Sequence, residues 1–285
     1  MVNNMDWSKA KTILILAFII TNILLIYVLM GEKAIEEPTI KEEFIEDVVG
    51  LLKEKDISLA TDIPKNIPHL NTMIVKYEKF GLEELNRRFF KSTGTVDTNE
   101  EDLGKVVSKE ESILLLNKKL ILYENKEDKE LFKNLNSDKA IKIAESFLKE
   151  KEFDTSDMKI SFIKEEKEVF YIEYSKIHQD IFVERAFTNF QIDKRGVKRF
   201  ERQWLIEEEL GETEIYISTA PKAILGLLSM GEVYGKTITD ISICYYFDPQ
   251  KHNYLEDLGE ARQGRAVPAW RIQFSDGYKI FIDEY

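Results

Sequence analysis

The sequence has one cysteine, three histidines and, beyond its first thirty residues, no uncharged apolar run of membrane length. A single cysteine cannot form an intrachain disulfide, so the stability of the fold has to come from packing. Cys244 lies among Ile243, Tyr245 and Tyr246, a setting that predicts a buried strand residue rather than a nucleophile. His69, His178 and His252 fall in different predicted elements, none at the spacing of a metal pair. There is no Gly-x-Ser-x-Gly elbow, phosphate-cradling glycine loop or His-Glu-x-x-His helix. No catalytic residue, metal site or cofactor is therefore assigned, and the chain is read as a non-enzyme.

Positive charge is also in deficit: 40 basic residues face 52 acidic ones, for a net charge of −12. The first 31 residues carry only Lys9, Lys11 and Asp6, so the remainder holds −13. Such a surface repels nucleic acid, anionic headgroups and anionic wall polymers, leaving a protein or a neutral ligand as the expected partner. The acids show no site pattern of their own. Asp97 to Asp102 alternates carboxylates as a calcium loop does, but positions six and twelve of such a loop are Asp102 and Ser108 rather than Gly and Glu. Glu165-Glu166 and Glu207-Glu208-Glu209 are expected to face water. With 52 carboxylates some pairs are bound to fall at glycosidase-like separations, so abundance carries no signal. Trp204 and Trp270 are expected in the core rather than in a groove.

What is there begins with Thr12 to Met30, 19 uncharged positions. As a helix they rise about 28 Å, close to the ~30 Å hydrocarbon core of a bilayer. No small-x-small cleavage site follows, and no lipidation cysteine, so a retained transmembrane anchor is expected. Lys9 and Lys11 precede it, while Glu32, Glu36 and Glu37 follow with only Lys33. The positive-inside bias places residues 1–11 in the cytoplasm and the bulk of the chain outside a single-pass cell membrane protein. Trp7, Lys9 and Lys11 are the expected interface anchors. Asn22 is the strongly polar side chain within the span, and Ala17 and Thr21 form a small-residue stripe. These three are the candidate contacts to another membrane helix, the competing reading being that Thr21 and Asn22 bond to their own backbone.

The opening Asp6-Trp7-Ser8-Lys9-Ala10-Lys11, directly before one anchor helix and an acidic ectodomain, together with Pro268-Ala269-Trp270-Arg271-Ile272 near the other end, resembles the YycH/YycI family of Gram-positive bacteria, and within it the YycI proteins. Met1 to Asn4 depart from that pattern by preceding Met5. The resemblance implies an extracytoplasmic regulator of a WalK (YycG) sensor kinase. It also implies a YycH-like regulator and the kinase as partners, with contacts through the membrane helices, and no nucleic acid.

Residues 32 to 285 supply 254 positions, enough for one large or two ordinary domains. The predicted architecture is α+β, an anchor followed by helix-plus-antiparallel-sheet modules, similar in outline to YycH/YycI and PepSY domains. After a tether at 31–38, a first domain is expected over 39–134. Its opening helix is capped by Thr39 with Glu42, and Ile40, Phe44, Val48 and Leu51 or Leu52 form its apolar face to about Lys55. Extended chain follows through Ile57 and Leu59 and the proline-bounded run Ile63 to Pro68. Asn71 to Phe80 is predicted as a strand, Leu82 to Phe90 as a helix, and Ser92 to Gly104 as a polar loop. Glu111 to Leu116 and Leu120 to Tyr123 make a hairpin.

The second domain, 135–285, contains a weak repeat at an offset of 83 residues, with units at 137–210 and 217–285. Lys139-Ala140-Ile141 recurs as Lys222-Ala223-Ile224, and Asp157 to Phe162 as Asp240 to Tyr245. Each unit opens with a helix, capped by Ser137 or by Ser218 or Thr219 with Pro221, and continues as strands. These are expected at 158–164, 168–176, 181–192 and 197–206, with a turn at Lys194-Arg195-Gly196, and then at 237–247, 268–274 and 278–284. In the last hairpin, a two-residue turn would split the apolar sets Trp270, Ile272, Phe274 and Tyr278, Ile280, Ile282. A three-residue loop, Ser275-Asp276-Gly277, keeps them on one face, with Gly277 left-handed.

Two functions stand from these features. One is a non-enzymatic regulator that biases a kinase by differential contact with its two states. The other is a tethered exterior domain that binds or hydrolyses a wall component or peptide.

Overall fold

The computed structural model describes residues 7–32, 40–66, 69–98, 103–249 and 263–283. Helix α1 (Trp7–Glu32) is followed by helix α2 (Glu42–Glu54), the two-residue strand β1 (Ser58–Leu59), strand β2 (His69–Tyr77) and helix α3 (Leu82–Phe90). Short strands come next: β3 (Thr95–Asp97), β4 (Leu103–Ser108), β5 (Glu111–Leu116) and β6 (Leu120–Asn125). Helix α4 (Ser137–Glu150) leads into β7 (Met158–Glu166), β8 (Val169–His178), β9 (Ile181–Asp193), β10 (Gly196–Gln203) and β11 (Leu205–Tyr216). Helix α5 (Ala220–Leu225) and two 3₁₀ turns precede β12 (Thr237–Tyr246), β13 (Gln263–Phe274) and β14 (Lys279–Ile282). The fold is mixed α+β around a large sheet, as the alternation of periods predicts.

Side chains of α1 are described over 11–25, and all are exposed. Among the described residues no helix is long and apolar enough to cross a membrane. Helix α2 starts behind Lys41, whose side chain makes no capping bond; the expected cap Thr39 lies outside the described residues. The apolar face is accordingly Ile45, Val48 and Leu52, while Phe44 and Leu51 are exposed. Ile40 packs on the same cluster from extended chain, so it could not set the helical phase. The cap of α4 is Asn136, whose side chain accepts from Lys139 N at 2.9 Å, one residue before the expected Ser137. Thr219 precedes α5 without a side-chain bond, and Pro221 occupies its first turn.

The expected polar loop 92–104 instead contributes β3 and the start of β4, which pair antiparallel. The expected strand 197–206 is two strands broken at Trp204. The acidic run after it is the beginning of β11, a strand because its backbone pairs with β2. Glu208 and Glu209 face water as expected, whereas Glu207 is half-buried.

Among the described residues the principal path through the sheet is β11-β2-β13-β12-β9-β10-β6-β5-β4-β3, with β7 and β8 joined through β9. Strands from 39–134 and 135–285 therefore alternate in one sheet: β2 lies between β11 and β13, and β6 pairs with β10. Both helix-led units contain antiparallel meanders, β7-β8-β9-β10 and β12-β13-β14. They meet where β9 and β12 pair in parallel at Phe182, Val183 and Glu184. Beyond that point β9 bulges, skipping from Val183 to Phe187 against β8, with Arg185 at φ 77. The bulge turns the strand so that its second half pairs with β10. Pro268, which has no N–H, falls at the interval 267–269, where β13 has left β2 and not yet met β14.

Two main cores flank the sheet. Helices α3 and α4 cover one through Leu85, Phe89, Ala144 and Phe147, packed on Phe190 and Phe200. Helices α2 and α5 cover the other through Val48, Leu52, Ala223 and Ile224, packed on Trp270, Ile272 and Ile282. Trp204 and Trp270 are both buried, and Trp270 Nε1 donates to Ser218 O at 2.7 Å. The last hairpin has the expected register, Trp270 opposite Ile282 and Ile272 opposite Ile280, with Gly277 at φ 90.

Candidate functional site: an open sheet face closed on one side by an ionic seam

Register alone separates two faces of the strands that carry the first core. The row Ile172, Phe190, Phe200, Tyr123, Ile113, Val106 runs across β8, β9, β10, β6, β5 and β4 and is buried under the helices. One residue on, the row Glu173, Asn189, Glu201, Leu122, Leu114, Lys105 points to the opposite face. Beside it lies Tyr171, Gln191, Arg199, Glu124, Ser112. Among the described residues no helix covers these two rows. They line an open trough of about 540 Å³, within the size range of ligand sites. Its charges neutralise one another: Arg199 Nη2 lies 3.4 Å from Glu124 Oε1, and Lys126 Nζ 3.6 Å from the other Glu124 oxygen. Asn189 donates weakly to Glu201 at 3.4 Å, and its Oδ1 is buried without a partner in the protein. The trough offers amide, guanidinium and carboxylate groups over two leucines, a surface for a neutral polar ligand or a polypeptide.

Toward β7 and β8 the same face is closed by the back of the second meander. Arg271 sits in the middle of the contact, 1% exposed. Its Nε donates to Glu184 Oε1 at 2.6 Å, its Nη1 to Asp240 Oδ2 at 2.7 Å and its Nη2 to Gln273, while Phe182 lies 4.5 Å from the guanidinium carbon. Lys279 Nζ pairs with Glu173 and reaches Glu184 at 3.5 Å and Ser175 Oγ at 3.3 Å. Gln273 Nε2 donates to Ser161 O at 2.9 Å. Ser161, Glu173, Ser175 and Glu184 come from the first meander; Asp240, Arg271, Gln273 and Lys279 come from the second. Three carboxylates thus share two cations, with hydroxyls and an amide completing the shell. In such surroundings removing one member leaves its partner uncompensated. Cys244 lies beside this seam, fully buried in β12, and burial pushes its thiol well above the ordinary value. It is a packing residue, as its neighbours in sequence predict.

A second buried guanidinium, Arg202, joins β10 to the chain before α3. It donates to Thr188 Oγ1 at 2.9 Å and Glu78 Oε2 at 3.2 Å and packs on Phe153 and Trp204. Burial pulls its pKa below the usual arginine value against the opposing pull of Glu78.

The two described histidines both hold β11. His178 Nδ1 lies 2.6 Å from Glu207 Oε2, and His69 Nε2 lies 3.3 Å from Glu214 Oε1. His252 lies outside the described residues. Among the described residues no group of three His, Cys, Asp or Glu side chains could hold a metal. Of the acidic loop, Asp97 is in β3 and residues 99–102 lie outside the description.

The residues expected to contact a membrane partner do not meet the trough or the seam. Thr21 Oγ1 donates to Ala17 O at 2.9 Å and Asn22 Nδ2 to Phe18 O at 2.8 Å, both within α1. Their polar groups are thus satisfied by their own helix. Lys11 is exposed, and the side chains of Trp7 and Lys9 lie outside the description. Sequence reasoning singled out neither Glu184 nor Lys279. The available signal was Arg271 and Gln273, two large polar residues alternating with Trp270, Ile272 and Phe274 in a strand otherwise made of apolar residues.

No protein-family model matches the sequence, and no curated protein matches it. Solved structures do. An uncharacterised protein from Eubacterium rectale ATCC 33656 superposes with a TM-score of 0.52 at 12% identity, covering 83% of this chain and 94% of the other. YycH from Bacillus subtilis superposes with a TM-score of 0.51 at 11% identity over 78% of this chain, which spans 55% of the YycH chain. The C-terminal domain of Bacillus megaterium YpeB matches at 12% identity and a TM-score of 0.35, too low to carry the PepSY-like expectation. The chain is therefore similar in fold to YycH.

Proposed function

We propose that this chain is a non-enzymatic, membrane-anchored extracytoplasmic regulator of a two-component sensor histidine kinase governing the cell wall, a YycI-like member of the YycH/YycI family. The observation that carries the reading is the fold likeness to YycH over 78% of the chain. It is supported by the family-like residues at both ends and by the 19-residue uncharged segment Thr12 to Met30. In this reading residues 1–11 are cytoplasmic, the anchor crosses once, and the sheet domain works outside the cell. Its partners are a YycH-like regulator and a WalK-like kinase. Regulation requires that the complex hold one kinase state more tightly than the other, since equal affinity shifts nothing. Ala17, Thr21 and Asn22 supply the membrane contact by exchanging the helix-internal bonds of Thr21 and Asn22 for bonds to a neighbouring helix.

Anchor replacement and crosslinking test this. With Thr12 to Met30 replaced by an unrelated spanning helix, regulation of the kinase is lost, and a photoreactive residue at position 22 captures the kinase or a second anchored regulator in intact membranes. Full activity of the replaced protein, with no capture from position 22 or from the ectodomain, would favour a tethered domain that takes a wall ligand or peptide in the open trough.

A further inference from the structure

Away from the trough, on the helix-covered side of the sheet, a second concavity lies between α4 and the connecting segment 131–135 that leads into it. It measures about 590 Å³. Leu131 N and Phe132 N both donate to Lys194 O at 2.9 Å, which fastens the segment to the β9–β10 turn. Both side chains nevertheless remain open to solvent, Leu131 at 58% and Phe132 at 37%. They form one wall, and Ile143 of α4 lies on the opposite one. Adjacent exposed large apolar residues lining a concavity mark an interaction site more often than a free surface.

The rim has the opposite charge to the protein as a whole. Lys139, Lys142 and Lys151 line the groove beside Glu111, whose carboxylate accepts the Tyr123 hydroxyl, and Glu150. Lys139 Nζ donates to Asn134 O at 2.7 Å, and Lys151 Nζ to Phe89 O at 3.3 Å while lying over the Phe89 and Phe147 rings. Lys142 is exposed. Among the described residues no carboxylate forms an ion pair with any of the three. In a chain with twelve more acids than bases, three lysines around an apolar slot without acid partners leave positive potential where an incoming anion would be met.

We propose that this groove docks an acidic segment of a protein partner, with apolar side chains entering against Leu131, Phe132 and Ile143 and carboxylates pairing with Lys139, Lys142 and Lys151. An amphipathic helix laid in a groove satisfies both demands, since its apolar anchors and carboxylates recur on adjoining faces. A polyanion is the poorer occupant: it would bring its remaining charges over an ectodomain of net −13, whereas a peptide brings only the few that the rim neutralises. The proposal deepens the reading that the chain works by complex formation. It places the docking in the ectodomain, independently of α1.

The test uses the full chain in detergent, a fluorescent synthetic peptide with a repeating Asp-Leu-Glu-Phe pattern, and a counterpart with Asn and Gln in place of the acids. The acidic peptide binds, the neutral one binds at least about fivefold more weakly, and Lys139→Glu with Lys142→Glu weakens the acidic peptide about tenfold. Phe132→Ser weakens both peptides, and added salt weakens only the acidic one. Thermal melts that match the parent show that the variants are folded. Equal binding of the two peptides, equal binding to parent and Lys variants, or displacement of bound peptide by phosphatidylglycerol vesicles but not by excess unlabelled peptide would each overturn the proposal. Failure here with loss of regulation on anchor replacement would locate the partner contact in the membrane. Success here with retained regulation on anchor replacement would sink the helix-pairing reading alone.

Discussion

Strands β8, β9, β10, β6 and β5 carry two faces one residue apart, and the two are built on different principles. On one, Ile172, Phe190, Phe200, Tyr123 and Ile113 interlock with Phe89 and Phe147, with Phe147 and Phe200 ring centres 5.3 Å apart. On the other, Glu173, Asn189, Glu201, Leu122 and Leu114 meet charge and solvent, and among the described residues the cover comes from the seam around Arg271. Apolar packing tolerates any neighbour of suitable volume, whereas the seam requires its three carboxylates to meet the two cations they share. The first face therefore supplies stability, and the second supplies specificity for how the two meanders meet.

The largest expected effect is on the apolar side. Phe200→Ala should lower stability by about 3–5 kcal/mol, read as a shift of the urea midpoint, because Phe200 is 1% exposed among the four aromatic neighbours Phe89, Phe147, Phe153 and Phe190. A loss below about 1 kcal/mol would mean that the helix-covered face is not the main core. The seam comes next. Arg271→Ala leaves buried Glu184 with only the longer contact to Lys279 and should lower stability by about 3 kcal/mol, whereas Arg271→Met combined with Glu184→Leu should recover most of that loss. If the double variant is no better than the single, packing rather than charge accounts for the loss.

Acid sharpens the comparison further, since only the polar face can respond to it. Asp193, on the back face of β9, is opposed by burial, but bonds from the Arg195 side chain and backbone hold its pKa below the ordinary value. A folded-state pKa depressed in this way contributes stability above the unfolded value of about 3.9, and that stability is lost as pH falls through the folded value. Asp193→Asn should therefore be less stable than the parent at neutral pH and converge with it in strong acid, as unfolding curves at the two pH values would show. The smallest effect belongs to the open trough. Arg199→Ala should change stability by less than about 0.5 kcal/mol, since Arg199 is exposed and its contact with Glu124 is long. A larger loss would show that the trough is held together by its charges rather than left open for a ligand.

Legibility followed the range of the interactions. Helix α3 was readable to the residue because its apolar spacing lies within nine positions. The final hairpin was readable because its register depends on a loop of three residues. The placement of Cys244, Trp204 and Trp270 in the core followed from their strand neighbours. The start of β11 was not legible: Glu207, Glu208 and Glu209 have poor strand propensity, and only pairing with β2, more than 120 residues earlier, makes them extended. The seam was hidden for the same reason, as Arg271 and Glu184 are 87 residues apart and neither carries a local sign of the other.

The sequence alone thus determined the apolar N-terminal segment, the acid excess and the α+β succession, all properties of composition or of periods shorter than a dozen residues. Tertiary structure decided that β2 enters a sheet with β11 and β13, that Arg271 meets Glu184, and that one face of the first meander stays open while its continuation is sealed. Those outcomes depend on which distant strands share an edge and on the bulge that turns β9 at Arg185. Residues so far apart in sequence leave no common period along the chain from which either could be read.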